Sequence, residues 1–364
     1  MTAISLPDGA SAPLVRLLGD LTAGRKAALA RAVSMVEDGR PGSDLLLGAL
    51  HPLVGRARRI GLTGPPGAGK STLVAELVKL LRTQGLTVGV VAVDPTSPFS
   101  GGALLGDRVR MESVALDPGV FIRSMATRGS LGGLAATTRE VCDVLDAFGL
   151  DRILIETVGV GQSELDIART ADTSLVVLVP ESGDAIQTLK AGLMEIADVF
   201  VVNKADRPGA DRLRTDIEMM LGLRGGSAMQ NAPAHHGIDL KSLTTPHSSR
   251  VAAADDSADK WTPAVLRSCG STGEGLPELL AALDRHFAYL ERSGELAVRR
   301  RARLRERVKD VVFQRLARRL WGDAATNAWI DDQIAGLAEG RTTPYVVADA
   351  LLRRSGTLMT GEPA

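Results

Sequence analysis

The sequence has little cysteine, no net charge and no long hydrophobic run. Its two cysteines, Cys142 and Cys269, lie far apart, which excludes a disulfide framework and favours a reducing compartment. The 43 basic residues balance 43 acidic ones, so no global field attracts nucleic acid or an acidic membrane. The apolar runs are strand-length, well below the ~20 residues that span a bilayer, and no basic region precedes an apolar stretch at the N-terminus. We therefore expect a cytoplasmic protein whose partners include neither nucleic acid nor membrane.

The pattern of apolar residues predicts an α/β fold. With 364 residues, 45% of them hydrophobic, the chain can bury a sizeable core, and its length predicts about two domains. From Arg58 onward short aliphatic runs alternate with helix-length segments, which indicates a mostly parallel sheet flanked by helices. The predicted strands are Ile60–Thr63, Val88–Val93, Ile153–Glu156, Ser174–Val179, Val199–Asn203 and, as a possible last strand, Val265–Arg267. The predicted crossover helices are Ser71–Arg82, Leu131–Phe148 and Asp211–Leu221.

Helical segments flank this core on both sides. Helical spacing over residues 12–50 predicts a small N-terminal helical extension (1–55) before a core of residues 56–285. Residues 225–260 are turn-rich and are predicted to form an irregular insertion. A C-terminal helical arm is predicted over 286–364. Its basic segment Arg299–Lys309 is interrupted by acidic residues and lacks interleaved aromatics, so we interpret it as a solvated or subunit-facing helix rather than an RNA site.

A phosphate-binding motif follows the first predicted strand. Residues Gly64–Ser71 fit G-x-x-x-x-G-K-[ST], directly between a strand and a helix, which is the context that confirms a P-loop. Glycines allow backbone N–H groups to turn toward phosphate oxygens, Lys70 can neutralise the β and γ phosphates, and the Ser71 hydroxyl can bind Mg²⁺. Thr72 can support the α-phosphate. The predicted nucleotide-binding residues here are Gly64, Pro65, Pro66, Gly67, Ala68, Gly69, Lys70, Ser71 and Thr72.

A second motif predicts that the nucleotide carries guanine. Asn203, Lys204 and Asp206 end a later strand and fit N-K-x-D, in which the carboxylate accepts from guanine N1–H and the 2-amino group. Adenine lacks that pair of donors, so we expect a buried Asp206 that faces adenine to be left unpaired beside an acceptor. The segment Ser268, Cys269 and Gly270 follows the possible last strand, where a backbone amide would contact guanine O6. Taken alone, that segment could equally be an ordinary turn.

Three carboxylates are candidates for the metal side of the site. Asp94 ends the second predicted strand, Asp107 follows a glycine-rich stretch, and Glu156 ends the third strand before further glycines. Their positions suggest Mg²⁺ coordination or placement of the attacking water. Each could instead be a helix cap or a turn former. We predict Lys70, Asp94 and Glu156 as catalytic residues, and Ser71, Asp94, Asp107 and Glu156 as metal ligands.

Taken together, the ordered motifs resemble one family, the methylmalonyl-CoA mutase-associated GTPases of the MeaB/ArgK group. The resemblance rests on Gly64–Thr72, Asp94–Ser97, Gly101–Met111, Glu156–Glu164, Gln187–Glu195 and Asn203–Asp206. It implies a homodimeric P-loop GTPase that uses GTP/GDP and Mg²⁺ and dimerises through its C-terminal helices. It also implies a chaperone that gates adenosylcobalamin loading and protects or reactivates methylmalonyl-CoA mutase or a related acyl-CoA mutase. By the same resemblance, Gln187, Lys190 and Glu195 belong to a switch that touches the mutase.

Other functions remain open at the level of the sequence. An ArgK-like kinase acting on amino-acid-binding transport proteins would require adenine, which Asp206 opposes. A metallocentre-assembly GTPase would need a Cys/His transfer site, which Cys142 and Cys269 do not supply. A scaffold with a degenerate nucleotide site would be favoured if Lys70 or Ser71 were missing, and both are present.

Overall fold

The fold is built on one parallel sheet. The computed structural model describes residues 9–94, 111–126, 133–157, 167–180, 192–224 and 260–355. Seven strands pair in the order β3-β2-β4-β1-β5-β6-β7, and every pairing is parallel. The strands are β1 (Arg58–Thr63), β2 (Val88–Asp94), β3 (Val120–Ala126), β4 (Arg152–Thr157), β5 (Thr173–Leu178), β6 (Val199–Val202) and β7 (Ala264–Arg267). The predicted α/β class is confirmed.

Helices cover the sheet and extend beyond it. Before the sheet come α1 (Ala12–Thr22), α2 (Lys26–Glu37) and α3 (Ser43–Leu50). Between strands lie α4 (Lys70–Thr83), α5 (Glu112–Ala115), α6 (Gly133–Phe148), α7 (Met194–Ile196) and α8 (Ala210–Arg224), with short 3₁₀ helices at His51–Leu53 and Ile167–Arg169. The chain continues with α9 (Leu276–Arg292), α10 (Glu295–Gly322), α11 (Ala324–Ala338) and α12 (Pro344–Arg354). In the described ranges no helix is both long and apolar enough to span a membrane.

Five of the strands predicted from sequence lie inside the sheet, and the possible last strand is β7 at one edge. All six residues of β5 are buried, and five of the six in β1 and in β4, because helices cover both faces. Sequence analysis missed β3, although it pairs with β2 over its whole length. As an edge strand it carries the half-exposed polar residues Arg123 and Ser124 between its apolar ones, so it shows no continuous aliphatic run.

The N-terminal helices pack against the sheet as part of one hydrophobic cluster. Leu18, Leu29 and Leu46, one from each of α1 to α3, join Leu145 of α6 in that cluster. The Lys26 ammonium also donates to the carbonyl oxygen of Val120 at 3.0 Å, next to the edge strand. The proposed division at residues 55 and 285 stays a prediction, and position 285 falls inside α9. The predicted insertion 225–260 lies almost wholly outside the described residues.

The basic segment of α10, which we interpreted as solvated or subunit-facing, has one face that binds the rest of its own chain instead. Arg299 donates to Asp198 at 3.0 Å and Arg300 to Asp172 at 2.7 Å, while Arg303 pairs with the same Asp172. Arg307 pairs with Asp143 of α6. Because Asp172 and Asp198 directly precede β5 and β6, these arginines attach α10 to the amino-end edge of the sheet. The sequence shows the charges of the helix but not the aspartates that receive them.

Asp172 is the most enclosed carboxylate of this network. Its side chain is 0% exposed, and it also accepts the backbone N–H of Arg59 at 3.1 Å. Burial by itself would raise the pKa of Asp172, but hydrogen bonds and charge from Arg300 and Arg303 outweigh burial and hold the pKa below its usual value. The carboxylate is therefore ionised when the chain is folded, and it supports α10 as an anion.

Candidate functional site

The candidate site lies at the carboxyl ends of the strands beside β1. Strand β1 is paired with β4 on one side and β5 on the other, and the chain order reverses around it. In open parallel sheets, ligands bind in the crevice outside the carboxyl ends at such a point. The P-loop runs from the end of β1 into α4, so it opens into this crevice.

Two glycines fix the shape of the P-loop. Gly64 has φ +139° and a Cβ atom there would lie 2.0 Å from the carbonyl oxygen of Val177. Gly69 has φ +84°, and its Cβ atom would lie 2.6 Å from Nδ2 of Asn203. Any side chain at these positions would clash and would strain the backbone. The motif glycines are therefore required by how closely the loop approaches β5 and Asn203.

The motif's lysine and serine are buried at the start of α4. Lys70 is 5% exposed, and its ammonium donates to the carbonyl oxygens of Gly64 at 2.8 Å and Pro65 at 3.0 Å. The Ser71 hydroxyl donates to Oε1 of Glu156 at 2.7 Å, and Glu156 is itself 3% exposed at the end of β4. A buried ammonium and a hydroxyl that donates to a buried carboxylate thus lie together at the start of α4. A phosphate chain requires such a cation, and a hard divalent cation requires such oxygen ligands.

Asn203 joins the P-loop to the loop after β7. Its Nδ2 donates to the carbonyl oxygen of Ala68 at 2.8 Å, and its Oδ1 accepts from the Ser268 hydroxyl at 3.2 Å and from Gly270 N–H at 3.1 Å. Since a backbone N–H can only donate and a carbonyl can only accept, these partners fix the orientation of the Asn203 amide. The three sequence segments predicted to bind nucleotide are therefore held together by one buried side chain.

The residues after Asn203 turn away from β6 toward solvent. Lys204 has φ +55°, a left-handed conformation that no other described residue except glycine adopts. Asp206 is exposed, and one of its carboxylate oxygens lies 3.3 Å from Sγ of Cys269. The unusual backbone at Lys204 thus directs Asp206 toward the loop after β7, at the rim of the crevice.

Two backbone N–H groups of the loop after β7 have different hydrogen-bond partners. The N–H of Cys269 donates to the carbonyl oxygen of Glu274 at 2.9 Å, so it is engaged inside the loop. Gly270 N–H faces Asn203 instead, and a Cβ atom on Gly270 would lie 3.4 Å from Thr72 of α4. Between these two amides, Gly270 is the one next to the P-loop helix.

Of the remaining predicted site residues, the structure describes Asp94 and Glu195, which lie at opposite ends of the strands. The backbone of Asp94 ends β2 at the carboxyl edge, opposite Ala126. Asp107, Gln187 and Lys190 lie outside the described residues. Glu195 belongs to α7, which precedes β6, and it lines a cavity of about 480 Å³ with Arg299 and Arg303 of α10. Glu195 therefore lies at the amino-end edge, away from the P-loop.

One close contact in the middle of β1 involves a glycine that the sequence analysis did not single out. Gly61 in the middle of β1 leaves room for Ile167, because a Cβ atom there would lie 2.5 Å from Cγ1 of Ile167. Ile167 begins the 3₁₀ helix that follows the glycine-containing segment after β4. An isolated glycine inside a strand pattern indicates a close approach, but only the structure shows what approaches.

Comparison with known proteins places this geometry in one family. Residues 29–325 match the family model described as methylmalonyl-CoA mutase-associated GTPase MeaB. A Pyrococcus horikoshii protein named as a GTPase is 44% identical over 342 residues, covering 94% of this chain and 98% of that protein. The chain belongs to the methylmalonyl-CoA mutase-associated GTPases. The predicted family is thereby confirmed.

Two further relatives of this MeaB-family GTPase extend the comparison. A mouse (Mus musculus) protein named methylmalonic aciduria type A homolog, mitochondrial, is 31% identical over 352 residues, covering 93% of this chain and 78% of that protein. A crystal structure titled LAO/AO transport system kinase superposes with a TM-score of 0.62 at 26% identity, covering 96% of this chain and 99% of that one. The family and its named members make this chain a GTP-binding, GTP-hydrolysing P-loop enzyme.

Proposed function

We propose that this MeaB-family GTPase is a Mg²⁺-dependent G-protein chaperone of methylmalonyl-CoA mutase or a related acyl-CoA mutase. It gates adenosylcobalamin loading and protects or reactivates the mutase, according to whether GTP or GDP is bound. The family description, which names the mutase, and the mouse relative, which is named for methylmalonic aciduria, support this assignment. The protein acts in the cytoplasm as a homodimer.

The observation that carries the nucleotide part of the proposal is the position of Asn203. Its side chain hydrogen-bonds both the P-loop and the loop after β7, so the two loops lie close enough for one ligand to contact both. The phosphates bind in the P-loop, guanine O6 faces the loop of Ser268, Cys269 and Gly270, and Asp206 accepts from N1–H and the 2-amino group. Asp206 is exposed rather than buried, so it disfavours an ATP-dependent kinase through the two donors that adenine lacks and through the N1 acceptor that would face the carboxylate.

The phosphate end uses charge and oxygen ligands. Lys70 binds the β and γ phosphate oxygens, and its burial strengthens that contact because water screens it little. The Ser71 hydroxyl and the Glu156 carboxylate are hard oxygen donors 2.7 Å apart and fit Mg²⁺. Bound there, Mg²⁺ would neutralise charge on the β and γ phosphates. Asp94, at the end of β2, positions the attacking water, and Asp107 completes the metal side.

The exposed face of α10 supplies the dimer surface. This helix has 28 residues, about 42 Å in length, and none of them is buried. Leu304, Val308, Val312 and Leu316 recur every four residues and are all exposed, and Phe313 beside them is 55% exposed. A continuous apolar stripe on a helix is typical of a surface that another helix covers. A second copy of α10 is the partner that we propose.

The amino-end edge connects the switch to the arm. Glu195 shares its cavity with Arg299 and Arg303, which attach α10 to the strands. We propose that Glu195 contacts the mutase next to the arm, as part of a nucleotide-responsive switch to which the family resemblance also assigns Gln187 and Lys190. The partner would then sense nucleotide state at the edge opposite the P-loop.

The test is GTP turnover by the full-length protein with and without its organism's methylmalonyl-CoA mutase. We expect slow turnover alone and faster turnover with the mutase, because a partner orders the groups that orient the attacking water. Lys70→Ala and an ATP reaction are the controls, and both should show no turnover. GTP turnover that is indifferent to the mutase would contradict the chaperone role but not the GTPase.

A further inference from the structure

Arginines line a further cavity at the amino-end edge of the sheet. The cavity has a volume of about 220 Å³ and lies between β1, α6, α10 and the residues that join α3 to β1. Each arginine side chain in its wall is at least three-quarters buried. The five are Arg59 of β1, Arg139 of α6, and Arg300, Arg303 and Arg307 of α10.

The two aspartates that also line the cavity are already engaged by other donors. Asp146 accepts from the three consecutive backbone N–H groups of residues 55–57 at 2.9 to 3.0 Å and from Arg59 at 3.1 Å. Four donors fill the acceptor sites of a carboxylate. Asp143 accepts from Arg59 at 2.7 Å and pairs with Arg307. Neither aspartate therefore neutralises the remaining arginines of the wall.

The wall carries more positive than negative charge. With Asp172, which receives Arg300 and Arg303, three buried carboxylates serve the five arginines. Glu140 and Asp310 line a separate, smaller cavity together with Arg139. Burial lowers the pKa of Arg303 and of Arg307, and the charge of nearby Arg59 lowers both further. An anion in the cavity would offset this repulsion between buried cations.

Arg139 has a buried donor without an acceptor. Its side chain is 9% exposed, and one terminal nitrogen donates to Asp310 at 3.1 Å. Its Nε is buried and has no hydrogen-bond partner among the described residues. An unpaired donor on a buried charged group is costly, so the position favours an additional acceptor.

We propose that this cavity binds a phosphate group, either as free inorganic phosphate or as the phosphate of a small ester. Guanidinium groups bind phosphate oxygens in pairs, and a tetrahedral group offers oxygens to arginines that come from three elements. Val54 and Leu304 in the same wall give the stem of an ester an apolar surface. The bound anion joins α10 to α6 and β1. This site lies at the opposite end of β1 from the P-loop, so the inference does not depend on the proposed mutase partner.

The experiment titrates the full-length protein with inorganic phosphate and with glycerol 3-phosphate by calorimetry, against chloride at equal ionic strength. Saturating Mg²⁺ and a nonhydrolysable GTP analogue fill the P-loop as far as the γ-phosphate position. We expect one phosphate to bind per chain under these conditions. Arg139→Gln should weaken that binding about tenfold, because it removes a charged donor. Arg305→Gln is the matched control, since Arg305 is exposed on α10 outside this wall, and it should bind phosphate as wild type does.

The outcomes identify the ligand or overturn the site. Tighter binding of inorganic phosphate supports free phosphate as the ligand, and tighter binding of glycerol 3-phosphate supports an ester. If Arg139→Gln does not fold, Arg139→Lys keeps the charge but lacks the Nε donor and should still weaken binding several-fold. The absence of saturable binding by wild type, or binding that the Arg139 variants leave unchanged, would overturn the inference without affecting the GTPase site.

Discussion

The two edges of the sheet are built from different interactions. At the carboxyl edge, loops are joined by hydrogen bonds from neutral groups, as when Asn203 contacts Ala68 and Gly270. At the amino edge, ion pairs join whole elements, as when Asp172 receives Arg300 and Arg303 of α10. Neutral contacts allow a charged ligand to bind and leave, whereas buried ion pairs hold a helix in one position. One sheet therefore carries a ligand site and a fixed arm at opposite ends.

The difference also explains why the edges respond to different changes. Removing one partner from a buried ion pair leaves an uncompensated charge, which destabilises the fold. Removing a ligand-binding cation from a loop that its backbone already shapes affects binding far more than folding. We therefore expect substitutions at the two edges to give opposite patterns of nucleotide affinity and stability.

The largest expected effect is the loss of nucleotide binding in Lys70→Ala. This removes the cation that faces the phosphates, and truncating a buried charge partner costs about 3 kcal/mol or more, roughly 100-fold in affinity. Titration with a fluorescent GDP analogue measures the loss. Lys79→Ala is the matched control on the same helix, since Lys79 is exposed and pairs with Glu76 one turn before it. If Lys70→Ala binds GDP as tightly as wild type does, Lys70 does not contact the phosphates.

The opposite pattern is expected for Asp172→Asn. Loss of this buried carboxylate leaves Arg300 and Arg303 without their anion, which should lower the free energy of unfolding by about 3 kcal/mol. Urea unfolding measures the change, and GDP affinity in native buffer should stay near wild type. Asp284→Asn is the surface control, because its pairs with Arg58 and Arg152 are half-exposed and contribute about 1 kcal/mol at most. Equal losses of unfolding free energy in Asp172→Asn and Asp284→Asn would show that the buried ion pairs of the amino edge stabilise the fold no more than surface pairs do.

The same carboxylate gives the amino edge a pH dependence. Because the pKa of Asp172 is lowered on folding, its contribution to stability is present above the unfolded value, about 3.9, and is lost as the pH falls through the folded value. The difference in unfolding free energy between wild type and Asp172→Asn should therefore be constant near neutral pH and shrink below about pH 4. A difference that grows toward acid pH would show that the anion is not the stabilising form.

A smaller effect is expected on assembly. Val312→Glu places a charge in the exposed stripe of α10 and should shift the protein toward monomer in analytical ultracentrifugation, while leaving GDP affinity unchanged. Arg318→Glu, at an exposed position of the same helix outside the stripe, is the control and should remain dimeric. If Val312→Glu remains a dimer, the dimer interface does not include this stripe.

Much of the carboxyl edge was predictable because its motifs lie in short continuous segments. The P-loop and N-K-x-D residues could be placed at strand ends from sequence, but the partner of Asn203 could not, since Ala68 lies 135 positions away. The amino edge gave no motif. Asp172 and Asp198 are ordinary residues before strands, and Arg299 to Arg307 form a charge run whose partners only the fold reveals. Strand β3 was missed because an edge strand needs no continuous apolar run.

We propose that Asn203 and Asp206 make the carboxyl edge a guanine site. The most direct test of this central proposal is calorimetric titration of the full-length protein with GDP and with ADP, repeated for Asp206→Asn. We expect wild type to prefer GDP by about 100-fold or more and Asp206→Asn to lose most of that preference, because an amide cannot accept from both guanine donors. Equal binding of GDP and ADP by wild type, or an unchanged preference in Asp206→Asn, would contradict the account.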